Sequence, residues 1–501
     1  MSTRREFGAR LIKAVAGYAI ATGPLLRSLE AQTGLPIGDL RSSLGAGDGV
    51  ILTPDDSKYT ESYNLRTRLV PEVRVLCQSA KGVAATILWA KANKVSFSTR
   101  GAGHCYEDFS QNLKLVIDTR KLTASEWGSN GLLSVGSGTT LGSLYKLADA
   151  RGRAFPGGSC PTVGVAGHCM GGGYGRLSRP LGLACDNVTS FEIVDARGKI
   201  LTTSATQNSD LFWALRGSGG GSFGVVTKFT FQTHSIGKVS TYSASWTLGV
   251  SEAVKVFRAW QSWAPHAPNE ITSTMTVSKG GAGKIRLHSS GQSTGSETKL
   301  RNEVTSWAKG AAVSTKTRTS MEAIDLFAGT GGWVLNPVYM KGRSDYVKKP
   351  MSEEGVAALM NEMLKLSVGA ISAMCDAYGG KIAEPEADAM AFAHRDALYS
   401  IQYYSQWSTA SQTSSKLAMS RAFYKALRPY VSGYAYVNYP DLELPDYARA
   451  YWGDNLPRLQ QIKQKYDPDN LFRHKQSVPL PGASLSSSIR SIALPDLFAF
   501  D

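Results

Sequence analysis

The chain has 501 residues, 42% hydrophobic and 19% charged, and a formal net charge of +15. That length exceeds one ordinary core and points to two lobes, and no apolar stretch is long enough to span a bilayer. Six cysteines without a CxxC pair exclude a disulfide scaffold and a zinc site; Lys and Arg spread without a dense run exclude a nucleic-acid tract and leave a solvated basic surface.

Taken in chain order, the first feature is Ser2-Thr3-Arg4-Arg5-Glu6-Phe7, which is similar to the twin-arginine export signal and precedes an apolar stretch over 14–26. An amphipathic first helix is the alternative, because Lys13 interrupts the apolar region. Export to the periplasm or outside the cell is the expectation, with the cytoplasm as alternative. Residues 82–92 (GVAATILWAKA) space their apolar side chains as a helix, and 95–99 reads as a short strand. Leu115-Val116-Ile117-Asp118 is a buried strand; 133–135 and 141–150 give strand then helix. Residues 193–201 read as a hairpin turning at Arg197-Gly198, and 224–232 as a strand that buries Val226, Phe229 and Phe231. From about Lys238 the pattern changes. Residues 240–247, 272–277, 284–289 and 401–404 read as strands of an antiparallel sheet, and 253–264, 297–309, 353–365 and 414–427 as helices. The expected division is leader and approach 1–45, a first domain 46–235, a second 236–433, a returning segment 434–480 and a serine-rich surface tail 481–501.

Four blocks carry the chemistry. They are Ser98-Thr99-Arg100-Gly101-Ala102-Gly103-His104-Cys105-Tyr106; Phe155-Pro156-Gly157-Gly158-Ser159-Cys160-Pro161-Thr162-Val163-Gly164-Val165-Ala166-Gly167-His168; Asp210-Leu211-Phe212-Trp213-Ala214-Leu215-Arg216-Gly217 with the glycines up to Gly224; and Tyr436-Val437-Asn438-Tyr439-Pro440-Asp441. A Gly-x-Gly turn after a strand can present bare N–H groups to a pyrophosphate, or it can be a plain turn. A lone cysteine is usually buried filler. The helix-opening GxGxxG of a Rossmann site is absent. The co-occurrence of the four blocks is what carries information.

Together they resemble the berberine-bridge-enzyme-like family of the vanillyl-alcohol-oxidase superfamily, over about residues 59–479. The resemblance implies an α+β fold: a two-lobe FAD-binding domain closed by the C-terminal segment, plus a substrate domain with an antiparallel sheet covered by helices. It implies FAD held by two covalent links, 8α to His104 and 6-S to Cys160. An imidazole and a thiolate are nucleophiles able to attack an electron-poor ring. Around the cofactor it places Arg100, Gly101, Ala102, Gly103, Gly164, Gly167, His168, Gly172, Gly173, Val226 and Asn438.

For catalysis the resemblance implies Tyr439, the second tyrosine of Tyr-x-Asn-Tyr. A phenol with pKa near ~10 needs help to act as a base at neutral pH. In oligosaccharide oxidases the helper is a carboxylate two residues before Tyr-Gly-Gly, here Asp376; the bland alternative is an exposed turn aspartate. Tyr106, Gln402 and Ser400 are expected in the substrate pocket. A serine at 400 cannot be the glutamate base of the oxidocyclases, which disfavours oxidative ring closure. Val163 falls on the gatekeeper position, where a small residue goes with dioxygen access.

The expected activity is therefore FAD-dependent oxidation of a hydroxyl, with hydride transfer to flavin N5 and release of hydrogen peroxide. The preferred substrate is an oligosaccharide or sugar lactol going to the lactone, and the alternative a glycosylated or other secondary metabolite. A flavin-fold binding protein without turnover is the non-enzymatic alternative. The partners expected are the substrate and dioxygen, with no nucleic acid, no membrane span and no metal, on a monomer.

Overall fold

The computed structural model describes residues 34–483 apart from 55, 57, 58, 60, 61, 68, 330 and 331. The twin-arginine-like motif and the end of the serine-rich tail lie outside the described residues.

Three sheets organise the chain. The first holds β1 (Gly49–Leu52), β2 (Val73–Cys77), β3 (Phe97–Arg100) and β4 (Leu115–Asp118) in the order β1-β2-β4-β3. β2, β4 and β3 run parallel, and β4 is buried at all four positions, as a parallel strand covered on both faces requires. The helix Ala80–Ala92 follows β2, its N-terminus capped by the Ser79 hydroxyl, which accepts from the Gly82 N–H at 2.9 Å. β3 ends on Arg100, so the Gly101 to Tyr106 loop opens at the carboxyl end of a parallel strand, where ligands of α/β sheets sit.

The second sheet is antiparallel. It comprises β5 (Ser125–Trp127), β6 (Leu132–Gly136), β8 (Val188–Val194), β9 (Ile200–Ser204) and β10 (Val225–Gln232) in the order β5-β6-β10-β8-β9. A two-stranded pair, β7 (Arg153–Ala154) with β11 (His234–Ser235), lies beside it. Phe191, Phe229 and Phe231 share one core with Leu141, Leu144 and Val165 from the helices Leu141–Asp149 and Val165–Met170. The hairpin between β8 and β9 turns at Gly198, at φ +71°, and the Asp195 carboxylate accepts from the N–H groups of Arg197 and Lys199.

The third sheet has seven antiparallel strands: β12 (Val239–Leu248), β13 (Ile271–Lys279), β14 (Ile285–Ser293), β15 (Ser314–Arg318), β16 (Tyr339–Val347), β17 (Ser372–Ala377) and β18 (Tyr399–Trp407). Its order is β15-β12-β14-β13-β17-β18-β16. Side chains alternate between faces. Tyr242, Trp246, Val277, Leu287, Cys375 and Tyr403 form a core with the helices Val250–Trp263, Glu297–Trp307, Glu353–Leu364 and Thr413–Leu427. The opposite face is polar. Thr274, Asp376 and Ser400 stand abreast on β13, β17 and β18, and Gln402, Tyr404 and Gln406 continue that face along β18.

Three strands of this sheet depart from the sequence expectation. β15, β16 and β17 are not legible as strands, and Asp376 sits on β17, not in an exposed turn. β16 carries Lys341 and Arg343, yet both are buried. They are paid for by ion pairs: Lys341 bonds Glu107 and, at 2.6 Å, Asp441; Arg343 bonds Asp441 and, at 2.8 Å, Glu443. Arg66 joins the group through Glu107 at 2.6 Å. Among the described residues no helix is long and apolar enough to cross a membrane.

Candidate active site

A cleft of about 470 Å³ is lined by the loop after β3, the Cys160 segment, residues 218–221, β17, β18 and the Tyr436 to Pro440 stretch. Such a volume suits a bound small molecule. His104 and Cys160 both face it and converge on one hydroxyl: Thr162 Oγ1 lies 3.0 Å from His104 Nε2 and 3.5 Å from the Cys160 sulfur. Burial first, then the Arg100 guanidinium, pulls His104 down to about 4. The imidazole is therefore neutral at physiological pH, the form that can act as a nucleophile. The Tyr63 ring stacks on it at 4.7 Å and 22°. The Cys160 side chain is exposed.

The cleft also holds the phenol and the carboxylate. Tyr439 stacks on Tyr106 with ring centroids 5.6 Å apart and planes 8° apart, and meets Tyr436 edge-on at 5.0 Å. Gln402 Nε2 donates to the Tyr106 hydroxyl at 2.7 Å. Burial pushes Tyr439 well above its usual range, and the nearby Asp376 charge adds to this. Burial likewise raises Asp376 to about 6, against the opposing pull of Arg176. No hydrogen bond joins Asp376 to Tyr439. Both groups line the cleft, so their polar atoms are available to a ligand.

The walls fit FAD. Gly101, Ala102 and Gly103 present bare backbone, and Gly103 is at φ +82°, where a Cβ would strike the Arg100 guanidinium. Gly164 packs closely against Ala102, where an added Cβ would lie about 3.0 Å from the Ala102 side chain. Gly167 is different. It lines the cleft, and a Cβ there would meet nothing within 4 Å of the chain itself. Its smallness is explained by whatever fills the cleft. The Ser110 hydroxyl at the same wall is buried and lacks a partner among the described residues. Residues 101–103 would hold the pyrophosphate and His104 and Cys160 the flavin ring.

Other expected residues take different roles. His168 lines the cleft, but its Nε2 accepts from the Gly158 N–H at 3.1 Å and burial holds it down to about 4, so it is a neutral strut. Asn438 Nδ2 donates to the His168 carbonyl and to the Tyr436 hydroxyl, both at 2.9 Å, tying the C-terminal stretch to the loop. Val163 and Val226 are wall residues. Gly172 and Gly173 are not. A Cβ on Gly172 would collide with Phe392, and the Gly173 N–H donates to Tyr436 at 2.8 Å, so this run makes room for Phe392 and Tyr436. Ser400 is 3% exposed and lies outside the lining, its short side chain flanked on the same face by the longer Asp376 and Tyr346. Thr162, Tyr63, Tyr174 and Arg176 line or border the cleft without having been singled out. Only Thr162, two residues after Cys160, had a positional signal.

A family profile described as "FAD binding domain" matches residues 71–204, and one described as "Berberine and berberine like" matches residues 435–479. The chain is 32% identical over 445 residues to a curated Bacillus subtilis (strain 168) protein, "Uncharacterized FAD-linked oxidoreductase YgaK", covering 86% of this chain and 97% of that one. The solved structure of Physcomitrella patens BBE-like 1 is 31% identical, with a TM-score of 0.81 over 89% of this chain and 100% of the other. The chain belongs to the berberine-bridge-enzyme-like family. It is accordingly an FAD-linked oxidoreductase, with FAD as its cofactor. A chitooligosaccharide oxidase structure is also similar, at 26% identity and a TM-score of 0.82, covering 89% of this chain and 99% of that one. In this berberine-bridge-enzyme-like protein both matched segments line the cleft, the first with His104 and Cys160 and the second with Tyr439.

Proposed function

We propose that this oxidase takes a hydroxyl of an oligosaccharide, at the lactol carbon, to the lactone, with Tyr439 and Asp376 handling the hydroxyl proton. The observation that carries the proposal is a phenol and a carboxylate in one cleft wall, neither engaged by a protein hydrogen bond, beside His104 and Cys160. A carboxylate raised to about 6 is ionised at neutral pH and still basic enough to accept a proton. The phenol is too weakly acidic to ionise alone. It can take the substrate proton only as it passes its own to the carboxylate, directly or through the bound sugar. The stacked Tyr106 and Tyr439 rings offer a flat wall to the C–H face of a sugar ring, and Gln402 fixes the Tyr106 hydroxyl. Gln402, which lines the cleft, and the exposed Gln406 farther along β18 suit a ligand rich in hydroxyls. The likeness to a chitooligosaccharide oxidase supports the same substrate class.

When bound, FAD supplies the acceptor for the substrate hydride and passes the electron pair to dioxygen, giving hydrogen peroxide. The proposal includes two covalent tethers, His104 and Cys160, and dioxygen access beside Val163. It also includes export directed by the Arg4-Arg5 motif.

The test is Tyr439→Phe, which removes one hydroxyl and keeps ring volume. Rapid mixing with an oligosaccharide panel should show flavin reduction slowed at least about a hundredfold, while reoxidation by dioxygen is nearly unchanged. A variant that is reduced at the parent rate removes Tyr439 from the mechanism. A parent enzyme that no sugar of the panel reduces overturns the substrate class.

A further inference from the structure

We propose that Arg176 is a positioning residue for the proton transfer: fixed against β13 and β14, it holds Asp376 in its ionised, proton-accepting form. The inference rests on the reading above that Asp376 is the final proton acceptor.

Arg176 follows the glycine run and is anchored from three sides. Its Nη1 donates to Thr274 Oγ1 at 2.9 Å and to the Ser290 carbonyl at 3.0 Å, and its Nη2 to Ser290 Oγ at 3.3 Å. Its guanidinium also lies over the Phe327 ring at 4.2 Å. Thr274 is the residue directly opposite Asp376 in the pairing of β13 with β17. Directly opposed residues stand about 5 Å apart, so the positive charge is held one strand away from the carboxylate. The two do not form an ion pair. Their separation leaves the carboxylate oxygens open to the cleft while the cation still favours the charged form.

A second cation close by, Arg179, is turned away to the backbone carbonyls of Pro265, Ala267, Ile271 and Tyr378. The titratable groups around Asp376 are Tyr378 and, on the other face of the sheet, Cys375 on its own segment, with Tyr174 beside the glycine run, Tyr106 after the histidine loop and Tyr439 from the C-terminal stretch. Burial raises every one of these, so all are neutral at physiological pH. His288 on β14 is lowered by burial and by Arg176 itself, and is neutral as well. Among the described residues, Arg176 is the cation that opposes the burial of Asp376.

The same anchors could serve only to pin the loop to the sheet, and pH separates the two roles. In the holoenzyme, an infrared band of the protonated carboxyl, identified by its loss in Asp376→Asn, reports the Asp376 midpoint without substrate. It should lie at about 6 in the parent. Because the carboxylate must be ionised to accept a proton, kcat/KM for flavin reduction should fall as pH drops through that midpoint. In Arg176→Gln the midpoint should rise by about one unit, making reduction about tenfold slower at pH 5 and converging on the parent at high pH. Arg176→Lys should restore the midpoint. A midpoint in Arg176→Gln equal to the parent's, or an activity loss of one factor at every pH, overturns the proposal. Should that variant not fold, Thr274→Val, which loosens the guanidinium but keeps its charge, should raise the midpoint by a smaller amount; no movement there overturns it equally. The infrared reading needs no turnover, so an enzyme inactive on sugars still tests Arg176.

Discussion

Thr162 brings two nucleophilic side chains together. Its hydroxyl is within hydrogen-bond reach of His104 Nε2 and touches the Cys160 sulfur, so a ring seated there meets both nucleophiles from one side of the cleft. His104 is neutral and ready to attack because burial suppresses its charge. On this basis acid-precipitated protein should keep FAD on the polypeptide. Peptide mapping should place flavin on the segments with His104 and Cys160. His104→Ala or Cys160→Ala should each leave a singly linked flavin, and only the double variant should release it; full release of free FAD from the parent would show that neither link forms. At this scale the sequence exposed residues that lie in contiguous motifs. Tyr63 and Arg176 were hidden because their roles come from contacts made across the chain, with His104 and with Thr274.

At the scale of elements, the parallel strand Leu115–Asp118 and the long amphipathic helices were legible because burial of whole faces leaves a periodic apolar pattern. β16 was not. Its apolar signal is broken by Lys341, Gly342 and Arg343, whose burial depends on partners more than 70 residues away. Gly342 has a reason of its own. A Cβ there would fall 2.6 Å from the Tyr106 ring. Gly342→Ala should therefore displace Tyr106 from its stack with Tyr439 and from Gln402. Since the displaced ring forms the wall for the sugar, KM should rise more than kcat falls, with flavin attachment intact; unchanged steady-state constants would show that Tyr106 yields without cost. Asp376 was legible only through the Tyr-Gly-Gly that follows it, since a polar residue on a half-open strand leaves no pattern.

Across the whole molecule, three of the parts that line the cleft (the histidine loop, the seven-stranded sheet and the returning stretch) meet at one ion cluster. Glu107 comes from the histidine loop, Lys341 and Arg343 from the seven-stranded sheet, and Asp441 and Glu443 from the returning stretch. Glu107 adjoins Tyr106, and Asp441 lies two residues from Tyr439, so the cluster sets the spacing of the stacked pair. Lys341→Met removes the central cation and leaves two buried carboxylates facing each other. Breaking one side of a buried pair costs about 3–5 kcal/mol, and denaturant unfolding monitored by tryptophan fluorescence should show a loss of that order. A loss below about 1 kcal/mol would mean that Arg66 and Arg343 already neutralise both acids.

The Tyr63 stack has one more consequence. The ring that covers His104 belongs to a stretch whose backbone is bonded on one side to Gly103 and on the other to Val338, at the edge of β16: the Tyr63 N–H donates to the Gly103 carbonyl at 3.1 Å, and the Val338 N–H to the Tyr63 carbonyl at 2.9 Å. Residues separated by more than 230 positions must therefore find one another before the imidazole has its final surroundings. With the tethers proposed at His104 and Cys160, attachment of the cofactor would be a late event in biogenesis, and colour that survives denaturation would count only the chains that had closed.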